Sequence, residues 1–407
     1  MLKLVCKIEI DCKGKENEPN KKISFDYVSS VSVKTSCRSL GDTAEVVIPR
    51  KMLEHIPGKP FANLFNKNRN SIGNYIKRDD EISIQLGYEN QSGNEKFKLR
   101  PVFKGYITQV DWGTQLTIKC EDKTFLLKKQ KAKPENYNSF NFKKFFGDNG
   151  LASEITIENP SDLITGNVEI KEHLRVDQAL ETAIKEYPYV RIFFRDDMFY
   201  VIESTRALDP NEKAIVFSPD RNIVDDSKLS YVEVGEYDLK LIITAVAVAD
   251  EYNVTPTKDP NAEEDSNAKK EPAKYRRISA EFPPVVHGDK KDYEQRVFFH
   301  QESISEAMTE PDCIPDEKAV KDKLQQYAEG VYNLFKTSRV NGSFTAFGEP
   351  FVKKGDLVML KYGDFRPELD GKMFIVDAVT YTFNKDGYRQ NITLGYQVKS
   401  AAETKKV

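Results

Sequence analysis

The fold of this chain is decided by three successive stretches: Arg78-Asp-Asp-Glu-Ile-Ser-Ile-Gln-Leu-Gly-Tyr88, Val102-Phe-Lys-Gly-Tyr-Ile-Thr-Gln-Val110 and Gly113-Thr-Gln-Leu-Thr-Ile-Lys-Cys120. Apolar and polar residues alternate in each, which predicts β-strands. The same pattern returns near the other end of the chain: Lys354-Gly-Asp-Leu-Val-Met-Leu-Lys-Tyr362, Met373-Phe-Ile-Val-Asp-Ala-Val-Thr-Tyr381 and Gly387-Tyr-Arg-Gln-Asn-Ile-Thr-Leu394. Both copies open with a basic residue and Asp. A duplicated β-unit predicts two similar domains arranged around something, and it does not favour a catalytic pocket.

Bulk composition supports a β-rich protein of several domains. A chain of 407 residues exceeds the size of one ordinary core and predicts two or three domains. Its 24 Phe and 19 Tyr favour strands over helical bundles. The formal net charge is −3, from 61 basic and 64 acidic residues. This balance is unlike that of a general nucleic-acid binder, although a local basic patch is compatible with it.

Neither the apolar runs nor the cysteines indicate export or metal binding. The sequence lacks a run of about 18 apolar residues, and its first ten residues alternate as a strand does instead of forming a signal peptide. The five cysteines are odd in number and form no CxxC pair: Cys6, Cys12, Cys37, Cys120 and Cys313. We expect reduced thiols in a cytoplasmically made protein.

The pattern divides the chain into a first β-domain at 1–130, an inserted α+β module at 131–235 and a second β-domain at 236–407. In the middle module, helical spacing predicts a helix at 173–187, and a hairpin follows with its turn at Arg195-Asp-Asp. The fold class is therefore mainly β with an α+β insertion.

Other elements follow from the same periodicities. Strands are predicted at 2–10, 23–33, 42–48, 237–249 and 343–347, helices at 50–55 and 315–337, a linker with a short helix at 131–150, and a mobile loop at 250–274.

The sequence contains none of the common catalytic, cofactor-binding or metal-binding motifs. Four acids lie close together near the second copy: Asp356, Asp364, Glu368 and Asp370. They fit either a calcium site or turns in which Asp accepts backbone N–H groups. The turn interpretation is favoured because Asp79 and Asp80 occupy the matching place in the first copy.

A basic cluster closes the first β-domain: Lys119, Lys123, Lys128, Lys129, Lys131 and Lys133. The cluster fits two interpretations. In the first, it lines a channel that carries nucleic acid or contacts an acidic partner. In the second, it is a solvated strand end interspersed with Glu121 and Asp122. The only tryptophan, Trp112, falls at the turn between the second and third strands, where a packing or interface anchor is expected. Trp112, Lys128, Lys129 and Lys131 are the candidate interface or lumen residues.

The quoted strands, together with Leu116-Thr-Ile-Lys-Cys-Glu-Asp122 and Gly371-Lys-Met-Phe-Ile-Val-Asp-Ala-Val-Thr-Tyr381, resemble the baseplate hub proteins of contractile-tailed phages. That family includes late control protein D and the hub part of type VI secretion VgrG. The resemblance covers most of the chain in order of elements, and the middle module sits where such hubs carry an inserted domain.

What the resemblance implies is a virion structural protein and not an enzyme. Its two tube-like β-barrel domains per chain form a homotrimeric, pseudo-sixfold ring between a hexameric tail tube and a threefold spike. The implied partners are the tail tube protein, a separate spike protein and other baseplate components, with DNA or an effector passing through the lumen without specific binding. Because the sequence ends soon after the second copy, we expect a hub without a fused spike.

An enzyme is the alternative. A tail-associated cell-wall or glycan hydrolase would place its acids in the middle module, at Asp196, Asp197 or Glu203. The position of Asp196 and Asp197 in a hairpin turn argues against it.

Overall fold

The computed structural model describes residues 2–13, 21–49, 76–90, 98–137, 139–159, 163, 168–185, 187–209, 213–231, 241–250, 275–284, 293–299, 317–336 and 340–398. The helix expected at 50–55 lies outside these residues, as does nearly all of the loop expected at 250–274. No helix in the described part of the chain is long and apolar enough to cross a membrane.

Thirteen of the described strands form one large sheet. Numbered in chain order, they are β1 (Leu2–Cys12), β2 (Lys21–Phe25), β3 (Ser30–Ser36), β4 (Thr43–Pro49), β5 (Glu81–Asn90), β6 (Lys98–Trp112), β7 (Gln115–Glu121), β13 (Ile215–Phe217), β14 (Ile223–Asp225), β20 (Ser343–Phe347), β21 (Leu357–Leu360), β22 (Met373–Asn384) and β23 (Gly387–Val398). The strand expected at 23–33 is thus two strands, β2 and β3, separated by residues 26–29.

Smaller sheets and four α-helices make up the rest of the described structure. The strands are β8 (Glu135–Tyr137), β9 (Thr156–Glu158), β10 (Val168–Ile170), β11 (Val190–Arg195), β12 (Met198–Glu203), β15 (Ser230–Tyr231), β16 (Leu241–Asp250), β17 (Tyr275–Phe282), β18 (Glu294–Phe299) and β19 (Val340–Asn341). The helices are α1 (Thr124–Lys129), α2 (Phe142–Asp148), α3 (Val176–Ile184) and α4 (Glu317–Lys336). The mainly β class and the helix–hairpin module are confirmed.

The duplication predicted from the sequence is present as repeated strand order. The first β-unit, β1 to β7, contains the neighbours β4-β7-β6-β5, and the second β-unit, β13, β14 and β20 to β23, contains β20-β23-β22-β21. All of these neighbours are antiparallel. Each unit also carries a bulge at the same point, between Ile107 and Gln109 of β6 and between Val376 and Ala378 of β22.

The turn that opens each copy has the same backbone geometry. Asp79 has φ 81° and Gly355 has φ 83°, in the left-handed region where Gly is favoured and Asp is tolerated. Asp79 N donates to Ile107 O at 2.9 Å, and Gly355 N donates to Val376 O at 2.7 Å. The same backbone turn is therefore formed by Asp79 in the first copy and by Gly355 in the second.

One ladder joins the two units into a single sheet. Strand β22 pairs with β3 from Ala378 opposite Ser36 to Phe383 opposite Val31. The two units share one hydrophobic core, because alternate residues of their strands point to the same side. Among the described strands the sheet is an open path from β14 to β2, so the closed tube-like barrels remain a prediction.

The middle of the chain has its own aromatic core. Four phenylalanines are fully or almost fully buried: Phe140, Phe142, Phe145 and Phe146. Asn141 caps α2 by accepting the Lys144 N–H at 3.0 Å. The linker expected at 131–150 was therefore wrong, although its short helix is present; the clustered rings bury too much apolar surface for a linker.

Pairing and packing cross the boundary predicted near residue 235 in both directions. Strands β13 and β14 precede it but pair with β21 and β20 of the second unit. The sheet β17-β16-β18 and helix α4 follow it but share a hydrophobic core with the middle module. In α4, Leu324, Tyr327 and Val331 are buried at the helical spacing that predicted it.

Candidate functional site

Buried charge is concentrated where the two β-units meet the β11–β12 hairpin. We call this the junction cluster: Asp42 and Asp122 from the first unit, Arg195 from the hairpin, and Lys354 and Asp356 from the second unit. Of these, Lys354 is 3% and Asp122 is 6% exposed. Buried charges are tolerated only when they are paired. Because the members of the junction cluster come from three parts of the chain, their pairing links those parts.

Lys354 is the centre of the cluster. Its Nζ lies 2.6 Å from Asp42 Oδ1 and donates to Ser36 O at 3.3 Å. It also lies 5.0 Å from the centroid of the Phe193 ring. A lysine of the second unit is thus inserted between a strand end of the first unit and the hairpin.

The two carboxylates of the first unit lie close together. Asp122 Oδ2 accepts the backbone N–H of Asp42 at 3.0 Å, and Asp122 Oδ1 accepts the N–H of Thr124, the first residue of α1, at 3.0 Å. Burial raises the pKa of Asp42 to about 7, with Lys354 opposing the rise and Asp122 adding to it. Burial also raises the pKa of Asp122. One ammonium therefore serves two carboxyl groups that cannot both ionise easily.

Arg195 extends the cluster into the middle module. Its guanidinium donates to Lys354 O at 2.8 Å and to Asp356 Oδ1 at 2.5 Å. Both side chains are largely buried, at 16% and 7% exposed. This charge-assisted pair holds the end of β11 against the turn that begins the second copy.

The acids near the two copies act as turn acceptors. Asp356 Oδ2 accepts the N–H of Lys353 at 2.8 Å, and Asp80 Oδ2 accepts the N–H of Lys77 at 2.7 Å. Asp370 Oδ1 accepts two successive N–H groups, at 2.9 and 2.7 Å. The turn interpretation is confirmed for Asp80, Asp356 and Asp370. Within the described residues, no group of three or more His, Cys, Asp or Glu side chains could hold a metal ion.

The hairpin turn is clamped by lysines from both β-units. Asp196 and Asp197 have φ 51° and 67°, as a two-residue hairpin turn requires. Lys353 of the second unit lies 2.6 Å from Asp196, and Lys104 of the first unit lies 2.6 Å from Asp197. A cavity of about 410 Å³ lies beside the turn and reaches Lys123, which is also paired with Asp197 at 3.7 Å. These acids form ion pairs with both β-units.

The candidate interface residues lie on different elements: Lys128 and Lys129 end α1, Lys131 follows it, and Trp112 ends β6. Lys128 pairs with Glu121 at 2.8 Å, and Lys129 pairs with Asp79 at 2.7 Å. Lys131 lies beyond α1, in an isolated backbone bridge to Arg175. The backbone of Trp112 ends β6, opposite Leu116. The structure does not bring Trp112 and the three lysines into one site, and their interface or lumen role stays a prediction.

The clustering of four residues was not predicted from the sequence: Asp42, Asp122, Arg195 and Lys354. Their sequence separations follow no motif, and the only available signal was Lys354-Gly-Asp, which was interpreted as a turn. Their contacts depend on the β3–β22 ladder.

The architecture defines a class. Duplicated antiparallel units in one sheet, with a helix–hairpin module against their junction, give this chain the fold of phage tail proteins. The expected mainly β fold with an α+β insertion is thereby confirmed, and it is similar to the fold of phage tail proteins.

Two solved structures carry the comparison. The tail protein from Neisseria meningitidis MC58 aligns with a TM-score of 0.54 and 11% identity, covering 96% of this chain and 96% of that chain. The 43 kDa tail protein of prophage MuSo2 from Shewanella oneidensis aligns with a TM-score of 0.52 and 11% identity, covering 96% and 98%. At this identity the likeness is one of fold. No family model matches the sequence, and no curated protein matches it.

Proposed function

We propose that this protein is a structural component of a phage tail or phage-like contractile injection device, acting as its baseplate hub. The observation that carries the proposal is that one chain supplies two β-units of the same strand order, already joined edge to edge through β3 and β22. Likeness of fold to phage tail proteins supports it.

Two like units per chain suit an assembly that joins a sixfold structure to a threefold one. Three chains with two like units each form a ring with six similar positions but threefold symmetry. Such a ring matches a hexameric tail tube on one face and a threefold spike on the other. The hub binds the tail tube protein, the spike and other baseplate components. After synthesis in the bacterial cytoplasm it resides in the particle, and DNA or an effector passes through its lumen without specific binding.

The hub works by packing and strand pairing and not by bond chemistry. The hydrolase alternative placed its acids at Asp196, Asp197 or Glu203, and the first two form ion pairs with Lys353 and Lys104. These pairs support a mechanical role for the hairpin.

The test is the native mass of the purified full-length chain, alone and mixed with the tube and spike proteins encoded beside it. The expected species contains three copies of the 46.5 kDa chain. A monomer under all of these conditions, up to concentrations of tens of micromolar, would overturn the proposal.

A further inference from the structure

We propose that Lys354 and Asp42 condense into an isopeptide bond, an amide between the lysine Nζ and the aspartate Cγ, which joins the second β-unit covalently to the first. The fold already brings the two groups together: Lys354 Nζ lies 2.6 Å from Asp42 Oδ1, although 312 positions separate the residues in sequence. The bond forms within one chain, so it does not depend on the proposed function.

Burial sets this contact apart from ion pairs at the surface. The side chains of Lys354 and Asp42 are 3% and 12% exposed. The ring of Phe193, which is 0% exposed, has its centroid 5.0 Å from the ammonium. Water stabilises the charged forms of an amine and an acid, whereas a dry site favours the neutral forms that can join into an amide. Because the fold holds the two groups in contact, no encounter in solution is needed.

The carboxyl of Asp42 is prepared for attack by an amine. Burial raises its pKa to about 7, so below that pH it is mostly neutral and carries a hydroxyl that can leave. Its Oδ1 also accepts the backbone N–H of Ser36 at 3.2 Å. This N–H stabilises the negative charge that the carbonyl oxygen gains when the amine adds.

Asp122 provides the proton acceptor that the condensation needs. Its side chain is buried beside Asp42 and accepts the backbone N–H of that residue at 3.0 Å. The charge of Asp122 acts on the pKa of Asp42, and the charge of Lys354 acts on the pKa of Asp122, so the three groups interact. Burial raises the pKa of Asp122, which makes its carboxylate a better base for the ammonium proton.

Bonds and protons balance without any other reactant. The ammonium of Lys354 passes one proton to Asp122, and the lone pair of the resulting amine forms a bond to Cγ of neutral Asp42. The C–OH bond breaks, and the hydroxyl leaves with its electron pair and a second amine proton, as water. The product is a neutral amide, and Asp122 keeps the first proton. A buried ammonium and a buried carboxylate are thus replaced by uncharged groups, which removes the desolvation cost of both.

The surroundings give the released water an exit and the bond a purpose. The cavity of about 410 Å³ is lined by Asp42, Asp122 and Lys354, so the water can leave into it. Asp42 directly precedes β4, and the β3–β22 ladder begins at Ser36. The amide therefore lies beside the ladder that joins the two units, and force on one unit is carried to the other through a covalent bond.

Mass spectrometry of the denatured full-length chain tests the bond. Protein that has just been purified contains the ion pair, and the linked fraction grows during several days of incubation between pH 5 and pH 8. The linked chain is lighter than its sequence by one water molecule. Trypsin cannot cleave after Lys354 once its side chain is an amide, so digestion should give a branched peptide that joins residues 39–50 to residues 354–361. The absence of this peptide throughout the incubation would overturn the inference, as would a loss of water located elsewhere, such as at Asp370-Gly371. This measurement needs no variant.

Three variants then assign the roles. Lys354→Met should keep the full mass, and loss of water from the junction in this variant would overturn the inference. Lys353→Met is the matched control and should link as the wild type does, because Lys353 also lies 2.6 Å from an aspartate, but the two side chains are 27% and 53% exposed. Asp122→Asn keeps an acceptor oxygen for the N–H of Asp42 but loses the basic carboxylate. Its linked fraction should grow at least about tenfold more slowly, with an unchanged circular dichroism spectrum. Linking at the wild-type rate would exclude Asp122 as the proton acceptor.

Discussion

Replacing Lys354 by Met tests whether the junction cluster holds the β-units together. Met keeps most of the aliphatic stem but removes the ammonium that lies 2.6 Å from Asp42. The side chain of Lys354 is 3% exposed and that of Asp42 is 12% exposed, so water cannot replace the lost partner. Breaking a buried ion pair from one side costs about 3–5 kcal/mol. We expect a loss of this size in the free energy of unfolding at pH 8.

The loss of unfolding free energy in the Lys354→Met variant depends on pH. The pKa of Asp42 is raised from 3.8 to about 7, so the folded protein retains a proton that the unfolded chain releases. The stability contributed by this carboxyl is complete below pH 3.8 and is lost as the pH rises towards 7. At pH 5 the carboxyl is protonated with or without Lys354. The Met variant should then lose about 1.4 kcal/mol less than at pH 8, because pH 8 lies one unit above the pKa of this carboxyl and one unit corresponds to about 1.4 kcal/mol.

Equilibrium urea unfolding at pH 5 and pH 8 measures both quantities. The adjacent Lys353 is the matched control, because it also lies 2.6 Å from an aspartate, Asp196, but the two side chains are 27% and 53% exposed. Lys353→Met should cost less than about 1 kcal/mol at either pH. Equal losses for the two lysines, or a Lys354→Met loss that is the same at pH 5 and pH 8, would show that Lys354 does not act as the buried partner of Asp42.

Three further predictions concern thiols, glycines and hydrolysis. Burial raises the pKa of the Cys37 thiol to about 12, and all four described cysteines are buried. In a Cys313→Ser background a thiol reagent should therefore react only after unfolding, and rapid reaction of the native protein would contradict the burial. A Cβ on Gly105 would lie 2.2 Å from Glu121 O, whereas one on Gly113 would meet nothing closer than 3.7 Å. Gly105→Ala should therefore cost about 1–3 kcal/mol in urea unfolding, and Gly113→Ala should cost clearly less. The purified protein should not clear peptidoglycan, and clearing that Asp197→Asn abolishes would restore the hydrolase alternative.

The duplicated unit could be predicted from the sequence because its information is local. Alternation gives the strands, and the bend at each copy's start needs only a short-range Asp acceptor. The helix–hairpin module was predictable for the same reason: α3 has a clear apolar face, and β11 and β12 are separated by a two-residue turn.

What could not be predicted depends on pairing between distant segments. Nothing in the sequence near Ser36 indicates that β3 pairs with β22, and the short strands β13 and β14 carry too few residues to show which sheet they join. The phenylalanines near Phe142 were interpreted as a linker because glycines and polar residues interrupt them. The junction cluster shares this limitation, since Lys354 and Asp42 become neighbours only after the ladder forms.

The central claim is that two like units per chain build a ring of six positions. Electron microscopy of the particle formed with the tube and spike proteins tests it most directly, through the rotational symmetry of the hub layer. We expect six similar lobes at low resolution that resolve into three alternating pairs, one pair per chain. A hub layer with six identical chains, or with any symmetry other than threefold, would contradict it.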